Sequence, residues 1–236
     1  MLSEISFCNM PVLLKNCGFD FMIVDTEHGG FDYKDISALL MTARLCGLDT
    51  IVRIADNSRR DIIRFLDMGA GGLLLPMTDT AAQIEKAVEY AKYAPLGRRG
   101  ISTMRAHTLY SPGEILQYTE QANAHTKVFA QIETVSGLNN VAEILSVRGV
   151  FGALVGPNDL SCDFGTLGHE CCAGIIDAIG RVASVAVNCG KTSGIITSNQ
   201  RYIQAAKESE MQYFSVGSEL SMLKSASDNI IKRIEE

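Results

Sequence analysis

Short apolar runs, each followed by a stretch with helical spacing, recur from one end of the chain to the other. This alternation limits the possible folds more than any other feature. The runs are LSEIS from Leu2, FMIVD from Phe21, DTIVR from Asp49, GGLLLPM from Gly71, KVFAQIE from Lys127, VFGALVG from Val150, TSGIIT from Thr192 and MQYFSVG from Met211. Most lack the polar–apolar alternation of a sheet with one wet face, and unbroken runs of this kind suit parallel strands covered on both faces. Between them, Ile36, Leu39, Leu40 and Ala43 form an i, i+3, i+4, i+7 stripe within 32–45. Similar stripes predict helices over 58–68 (Ile62, Ile63, Phe65, Leu66), 80–91 (Ala81, Ile84, Ala87, Val88, Ala91) and 134–145 (Leu138, Val141, Ala142, Leu145). Further helices are expected over 171–188, 198–208 and 219–234. Thr26, Asp32, Ser58 and Ser198 are capping residue types placed just before helical or turn segments.

Eight strand-then-helix units within 236 residues match the usual size of a closed (β/α)8 TIM barrel. The rival is a doubly wound open sheet, whose G-x-G-x-x-G turn after the first strand is missing. No composition shift marks a second domain, so 1–236 reads as one barrel domain. The rhythm breaks only at about 96–125, a long insertion rich in Gly, Arg, Ser, Thr and Tyr, and long loops in compact domains are disproportionately functional.

With 21 basic and 27 acidic side chains the formal charge is −6. There is no basic run, and nucleic acid is not an expected partner. The seven cysteines are odd in number and form no C-x-x-C, the pattern of reduced thiols in a cytosolic protein. MLSEISFCNMP carries neither a basic n-region nor a long apolar h-region, and no apolar run has the length to cross a bilayer. The reading is soluble and cytoplasmic, with no membrane partner.

In a barrel of this type chemistry sits at the carboxyl ends of the strands. Those ends read Asp25-Thr26-Glu27-His28-Gly29-Gly30, Arg53, Gln131-Ile132-Glu133-Thr134 and Gly156-Pro157-Asn158-Asp159. Glu133 and Asp159 end neighbouring strands and supply the hard oxygen ligands that Mg²⁺ or Mn²⁺ takes; equally, each has the position of a first-turn helix acid. His28 follows two acids, and either Asp25 or Glu27 is placed to accept from one ring nitrogen and leave the other for proton transfer; a histidine capping a helix has the same signature. Arg53 closes an apolar strand, where a buried guanidinium needs an anion, either substrate or an acid such as Asp25, Glu27 or another neighbour. Gly97-Arg98-Arg99-Gly100 and Arg105-Ala106-His107 add positive charge near the rim, or form a solvated loop. The backbone N–H groups of the Gly156–Asp159 turn suit a carboxylate.

In order and nearly end to end, FDFMIVDTEHGG, IVRI, GGLLLPM, YAPLGRRG, QIETVSGLNNVAEI and VGPNDLS, then SGIITSN and FSVGSELSMLKSA, closely resemble the HpcH/HpaI family of metal-dependent (class II) pyruvate aldolases. Its members include 4-hydroxy-2-oxo-heptane-1,7-dioate and 2-keto-3-deoxy sugar acid aldolases. The resemblance implies a (β/α)8 barrel that reversibly cleaves a 4-hydroxy-2-oxo acid to pyruvate and an aldehyde. It implies Glu133 and Asp159 as metal ligands, Arg53 on the keto oxygen, and His28 with Asp25 as the proton-handling pair. By the same resemblance Gln131 lines the metal site, and Gly156, Asn158 and Asp159 bind the pyruvate carboxylate. It further implies a divalent cofactor (Mg²⁺ or Mn²⁺, with Co²⁺ and Zn²⁺ as further candidates) and a homo-oligomer, hexamer or trimer. Glu219 stands where the family usually has Asp, a change placed at a subunit contact or the pocket edge. No lysine ends a strand in this part of the rim, which argues against a Schiff-base aldolase. Two alternatives remain: a related CoA-thioester lyase of the citrate-lyase or malyl-CoA type, and an inactive barrel serving as a binding subunit. The compact length and the D-T-E-H-G-G motif count against the first, and the filled catalytic positions against the second.

Overall fold

The computed structural model describes residues 1–168 and 172–235. Seven strands, β1 (Phe21–Asp25), β2 (Asp49–Arg53), β3 (Gly72–Leu75), β4 (Lys127–Ile132), β5 (Gly152–Val155), β6 (Thr192–Ile196) and β7 (Tyr213–Ser215), pair in sequence order, all parallel. Helices α1 (Met10–Asn16), α2 (Tyr33–Cys46), α3 (Arg59–Asp67), α4 (Ala81–Ala91), α5 (Ile115–His125), α6 (Val135–Asn139), α7 (Val141–Ser146), α8 (Pro157–Asp163), α9 (Ala173–Asn188), α10 (Gln200–Glu208) and α11 (Glu219–Glu235) fill the connections. The result is a nearly closed barrel.

Period two decides what each strand buries. Ile23, Ile51, Leu74, Phe129 and Leu154 point inward and pack as a plug with Phe21, Phe151 and Tyr213 around them. Met22, Val24, Val52, Leu73, Val128 and Val155 point outward into the larger core shared with the helices. On the helix side the α2 stripe Ile36, Leu39, Leu40 and Ala43 is buried as its spacing predicts. Asp32 and Asp35 form a capping box at its start, and Gly47 ends it at φ +69°, a left-handed conformation in which a side chain is strained.

Several local expectations change. LSEIS is not an extended strand: Leu2 makes a single parallel bridge to Val24, with Leu2 N–H on the Ile23 carbonyl (2.8 Å) and Asp25 N–H on the Leu2 carbonyl (2.9 Å). The next three N–H groups, of Ser3, Glu4 and Ile5, turn to Glu219 Oε1 instead (2.8, 2.8 and 3.3 Å) and are lost to a ladder. Glu219 N–H meets the Met1 carbonyl at 3.2 Å, so this segment spans the gap between β1 and the chain beyond β7. Here Glu219 serves the barrel seam. The helix predicted over 134–145 breaks in two at Asn140, whose side-chain amide donates to the Asp79 carbonyl at 2.8 Å. Asn199, not Ser198, caps α10, and the Thr26 hydroxyl donates to the Arg53 carbonyl instead of capping a helix. α1, α5 and α8 were not expected. The helix over 171–188 is seen from Ala173, and Cys171 lies outside the described residues. The six described cysteines are free, and among the described residues no helix is long and apolar enough to cross a membrane.

At the amino-terminal end of the barrel, Lys92 is buried with no carboxylate partner among the described residues. Its Nζ donates to the carbonyls of Asn123 (2.7 Å) and Thr126. Burial, with the nearby charges of Lys191 and Lys127, pushes its pKa down to about 8. Between about 8 and the ordinary lysine value near 10.5 the unfolded chain holds a proton that the folded chain has released, so stability rises with pH across that window. Denaturant unfolding of the protein and of Lys92→Met, from pH 7.5 to 10.5, will show a relative gain for the unsubstituted chain on the order of 2 kcal/mol. Parallel pH profiles would refute this account.

Candidate active site

The parity that builds the plug also builds the mouth. One step beyond Ile23 and Ile51 come Asp25 and Arg53, beyond Phe129 come Gln131 and Glu133, and beyond Leu154 comes Gly156. Asp25 and Arg53 are direct register partners on β1 and β2. Arg53 Nε donates to Asp25 Oδ1 at 2.9 Å and Nη2 to Oδ2 at 2.6 Å, a two-point contact with both residues buried. Asp25 Oδ1 also accepts the N–H groups of Glu27 (3.0 Å) and His28 (3.4 Å). Burial pushes the Asp25 carboxyl up, but the Arg53 bonds and charge with these two N–H groups outweigh it and hold it below the ordinary range. Glu27 Oε2 lies 3.3 Å from Arg53 Nε, and burial raises its carboxyl against the pull of Arg53.

Glu133 is the most perturbed acid. It is 2% exposed, its Oε1 accepts the Met77 N–H at 2.6 Å, and its Oε2 accepts from Gln131 Nε2. Desolvation pushes its pKa up to about 7, and the carboxylates of Asp159 and Glu27 push the same way. Gln131 Oε1 is buried with no hydrogen-bond partner among the described residues. Gly156 leaves room for this pair: a Cβ there would lie 2.7 Å from Glu133 Oε2 and 3.1 Å from Gln131 Nε2. After Gly156 the chain enters α8, with Pro157 in its first turn. The N–H groups of Asn158 and Asp159 precede the first intrahelical bond, Leu160 N–H to the Gly156 carbonyl at 3.2 Å, and so face away from helix partners. Asn158 and Asp159 are both exposed.

The structure therefore gathers Asp25, Arg53, Gln131, Glu133 and Gly156 into one buried layer, with Asp159 close enough to act on Glu133. His28 stands apart. Its side chain is 70% exposed, its Nε2 lies 3.9 Å from Glu27 Oε2, and Asp25 holds its main chain and not its ring. Among the described residues, no group of three or more His, Cys, Asp or Glu is arranged to hold a metal ion. Arg98 and Arg105 are exposed, whereas Arg99 and His107 are buried beside α3 and α5, away from the mouth. Sequence reasoning missed Met77, which contributes through its backbone and takes φ +47°, uncommon for a long side chain. Nothing in the residue type signals that. The sequence offered both Asp25 and Glu27 as acids for Arg53, and the structure gives the guanidinium both.

The model of the family described as HpcH/HpaI aldolase/citrate lyase matches residues 9–226. A hydroxypyruvate/pyruvate aldolase of Roseobacter denitrificans is 33% identical over 89% of this chain and 82% of its own. A 5-keto-4-deoxy-D-glucarate aldolase of Klebsiella pneumoniae is 32% identical over 92% of this chain and 84% of its own. Among solved structures, an HpcH/HpaI aldolase from Desulfitobacterium hafniense DCB-2 superposes with a TM-score of 0.93 at 27% identity, covering 100% of this chain and 92% of that one. A citrate lyase beta subunit of M. tuberculosis, solved with oxaloacetate and magnesium, shares the fold at a TM-score of 0.51 and 19% identity, over 83% of this chain and 77% of that one. The chain belongs to the HpcH/HpaI aldolase/citrate lyase family.

The geometry separates a structural acid from an exposed imidazole. Asp25→Ala leaves the buried Arg53 without its two-point partner and will lower unfolding stability by about 3 kcal/mol. His28→Ala will change it by less than about 0.5 kcal/mol. Chemical denaturation of both variants checks this, and equal stabilities would overturn the assignment.

Proposed function

We propose that this protein is a class II pyruvate aldolase, reversibly cleaving a 4-hydroxy-2-oxo acid to pyruvate and an aldehyde. The observation that carries the reading is the buried Glu133 carboxylate beside the unpartnered Gln131 Oε1, with Asp159 and Glu27 facing the same charge. Among the described residues Glu133 has no ion-pair partner, only the Met77 N–H and the Gln131 amide, and an unsatisfied amide oxygen stands beside it. That donor set suits a hard divalent ion, Mg²⁺ or Mn²⁺, which needs only one or two carboxylates and completes its shell with water and substrate oxygens. Glu133 and Asp159 would hold it. When bound, the ion supplies Lewis acidity to the oxygen on which negative charge develops as the carbon–carbon bond breaks.

The chain's own residues do the rest. Arg53 is locked through Nε and Nη2 to Asp25, so its remaining edge is a fixed positive charge for the substrate keto oxygen. A donor that need not reorganise is worth most in a site from which water is excluded. Asp25 acts as a positioning residue, holding both the guanidinium and the His28 main chain. His28, exposed at the rim beside Glu27, takes the proton from the C4 hydroxyl and returns it in the reverse direction. The Gly156–Asp159 turn offers the Asn158 and Asp159 N–H groups to the substrate carboxylate. The net charge of −6 with no basic run supports a small-molecule substrate over a nucleic acid, and the free thiols suit a cytoplasmic protein.

Pyruvate C3 hydrogen exchange in deuterated water tests this without knowledge of the aldehyde. Exhaustive chelation will abolish exchange and added Mn²⁺ or Mg²⁺ will restore it, whereas exchange indifferent to chelation would refute the metal assignment. Arg53→Lys will lower turnover by roughly 100-fold with little change in metal affinity, because a point charge cannot reproduce a fixed fork.

The protein acts as a homo-oligomer, trimer or hexamer. Along α11, Leu220, Met222, Leu223, Ile230, Ile231 and Ile234 are exposed, and Glu219 is its only buried member. Light scattering will give a multiple of the 25.6 kDa chain mass, reduced in Leu223→Glu/Ile230→Glu. A monomer would overturn this reading.

A further inference from the structure

A second polar cavity lies at the opposite end of the barrel wall. It has a volume of about 440 Å³ and is bounded by Gly71 and Thr126, which precede β3 and β4, by the end of α3, and by α5 with the 96–125 insertion. Counting along β4, it is about 20 Å from Glu133. Its lining includes Arg44, Arg99, His107, His125, Tyr118 and Ser111, and no acidic residue. On a chain of net charge −6, such a grouping opposes the overall balance.

The buried member is the informative one. Arg99 is 5% exposed, and Tyr93 lies against its guanidinium. Its Nη2 donates to Asp67 Oδ1 at 2.8 Å, and its Nε is buried with no partner among the described residues. Asp67 offsets part of its charge and the closed-off Nε is beyond a ligand's reach, so what Arg99 lends the cavity is the remaining positive charge of its wall. Burial, with the neighbouring Arg99 charge, holds the His107 imidazole below its ordinary range; its Nε2 meets the Ser102 carbonyl at 3.0 Å and its Nδ1 meets the Tyr118 hydroxyl. It therefore does not compete with Arg99 for Asp67. Arg44 and His125 stand exposed at the rim, and His125 Nδ1 donates to the Gln121 carbonyl at 2.7 Å, leaving Nε2 toward solvent.

We propose that this cavity is a second ligand site, distinct from the mouth, which takes the phosphate group of a small organic molecule. Two arginines, an imidazole and a serine hydroxyl approach from different walls, a distribution that suits a tetrahedral oxyanion better than a planar carboxylate. The space left over is of the size that holds an organic moiety. Arg99 forms the floor of the site, and Arg44 with His125 forms the rim.

The test is calorimetric titration of the whole, chelator-treated protein with inorganic phosphate at constant ionic strength. It is paired with NMR of the imidazole C–H signals. One saturable site per chain is expected, with His107 and His125 signals shifting and His28 at the mouth unmoved. Arg44→Gln/His125→Gln alters two exposed side chains, leaves the fold intact, and will weaken phosphate binding at least 10-fold. No saturation, affinity within twofold in the double variant, or a titration that moves His28 alone would each overturn the proposal.

Discussion

The mouth depends on a guanidinium that cannot turn. Asp25, on the neighbouring strand, takes two of its donors, and both side chains are buried. Removing both charges from solvent is expensive, and the pair is tolerable only because its geometry is good and the Glu27 and His28 N–H groups satisfy the rest of the carboxylate. The same contacts fix the start of the loop that carries His28. One ion pair thus orients the cationic group and sets the backbone from which the imidazole hangs.

Across the mouth the balance is reversed. Glu133 is as buried as Asp25 but among the described residues has only an amide N–H from Met77 and the Gln131 side chain for partners. The two acids share a depth and differ in what faces them. Hence one carboxyl is held low and the other is driven toward neutrality. That difference separates a residue that positions from one that waits for a cation.

Much of this was readable from residue order. Unbroken runs such as FMIVD and DTIVR announced parallel strands, and standing at the carboxyl ends of those strands put Asp25, Arg53, Gln131 and Glu133 at the mouth. Side-chain type could not reveal partner choice. The D-x-E-H motif offers Asp25 equally to His28 and to Arg53, and only the register of β1 on β2 decides for Arg53. Met77 was invisible because it contributes an N–H that any residue possesses. LSEIS misled because a carboxylate 214 or more residues away competes for its amides, and no local pattern records that.

The join at Leu2 has a mechanical meaning. Elsewhere the cylinder is held by continuous ladders between neighbouring strands, but on this side a lone rung and the Glu219 clamp bridge the gap. A wall sewn with so few stitches yields before the others do. The stave beside it is β1, which carries Asp25, so any breathing of the cylinder is felt first at the residue that steadies the arginine.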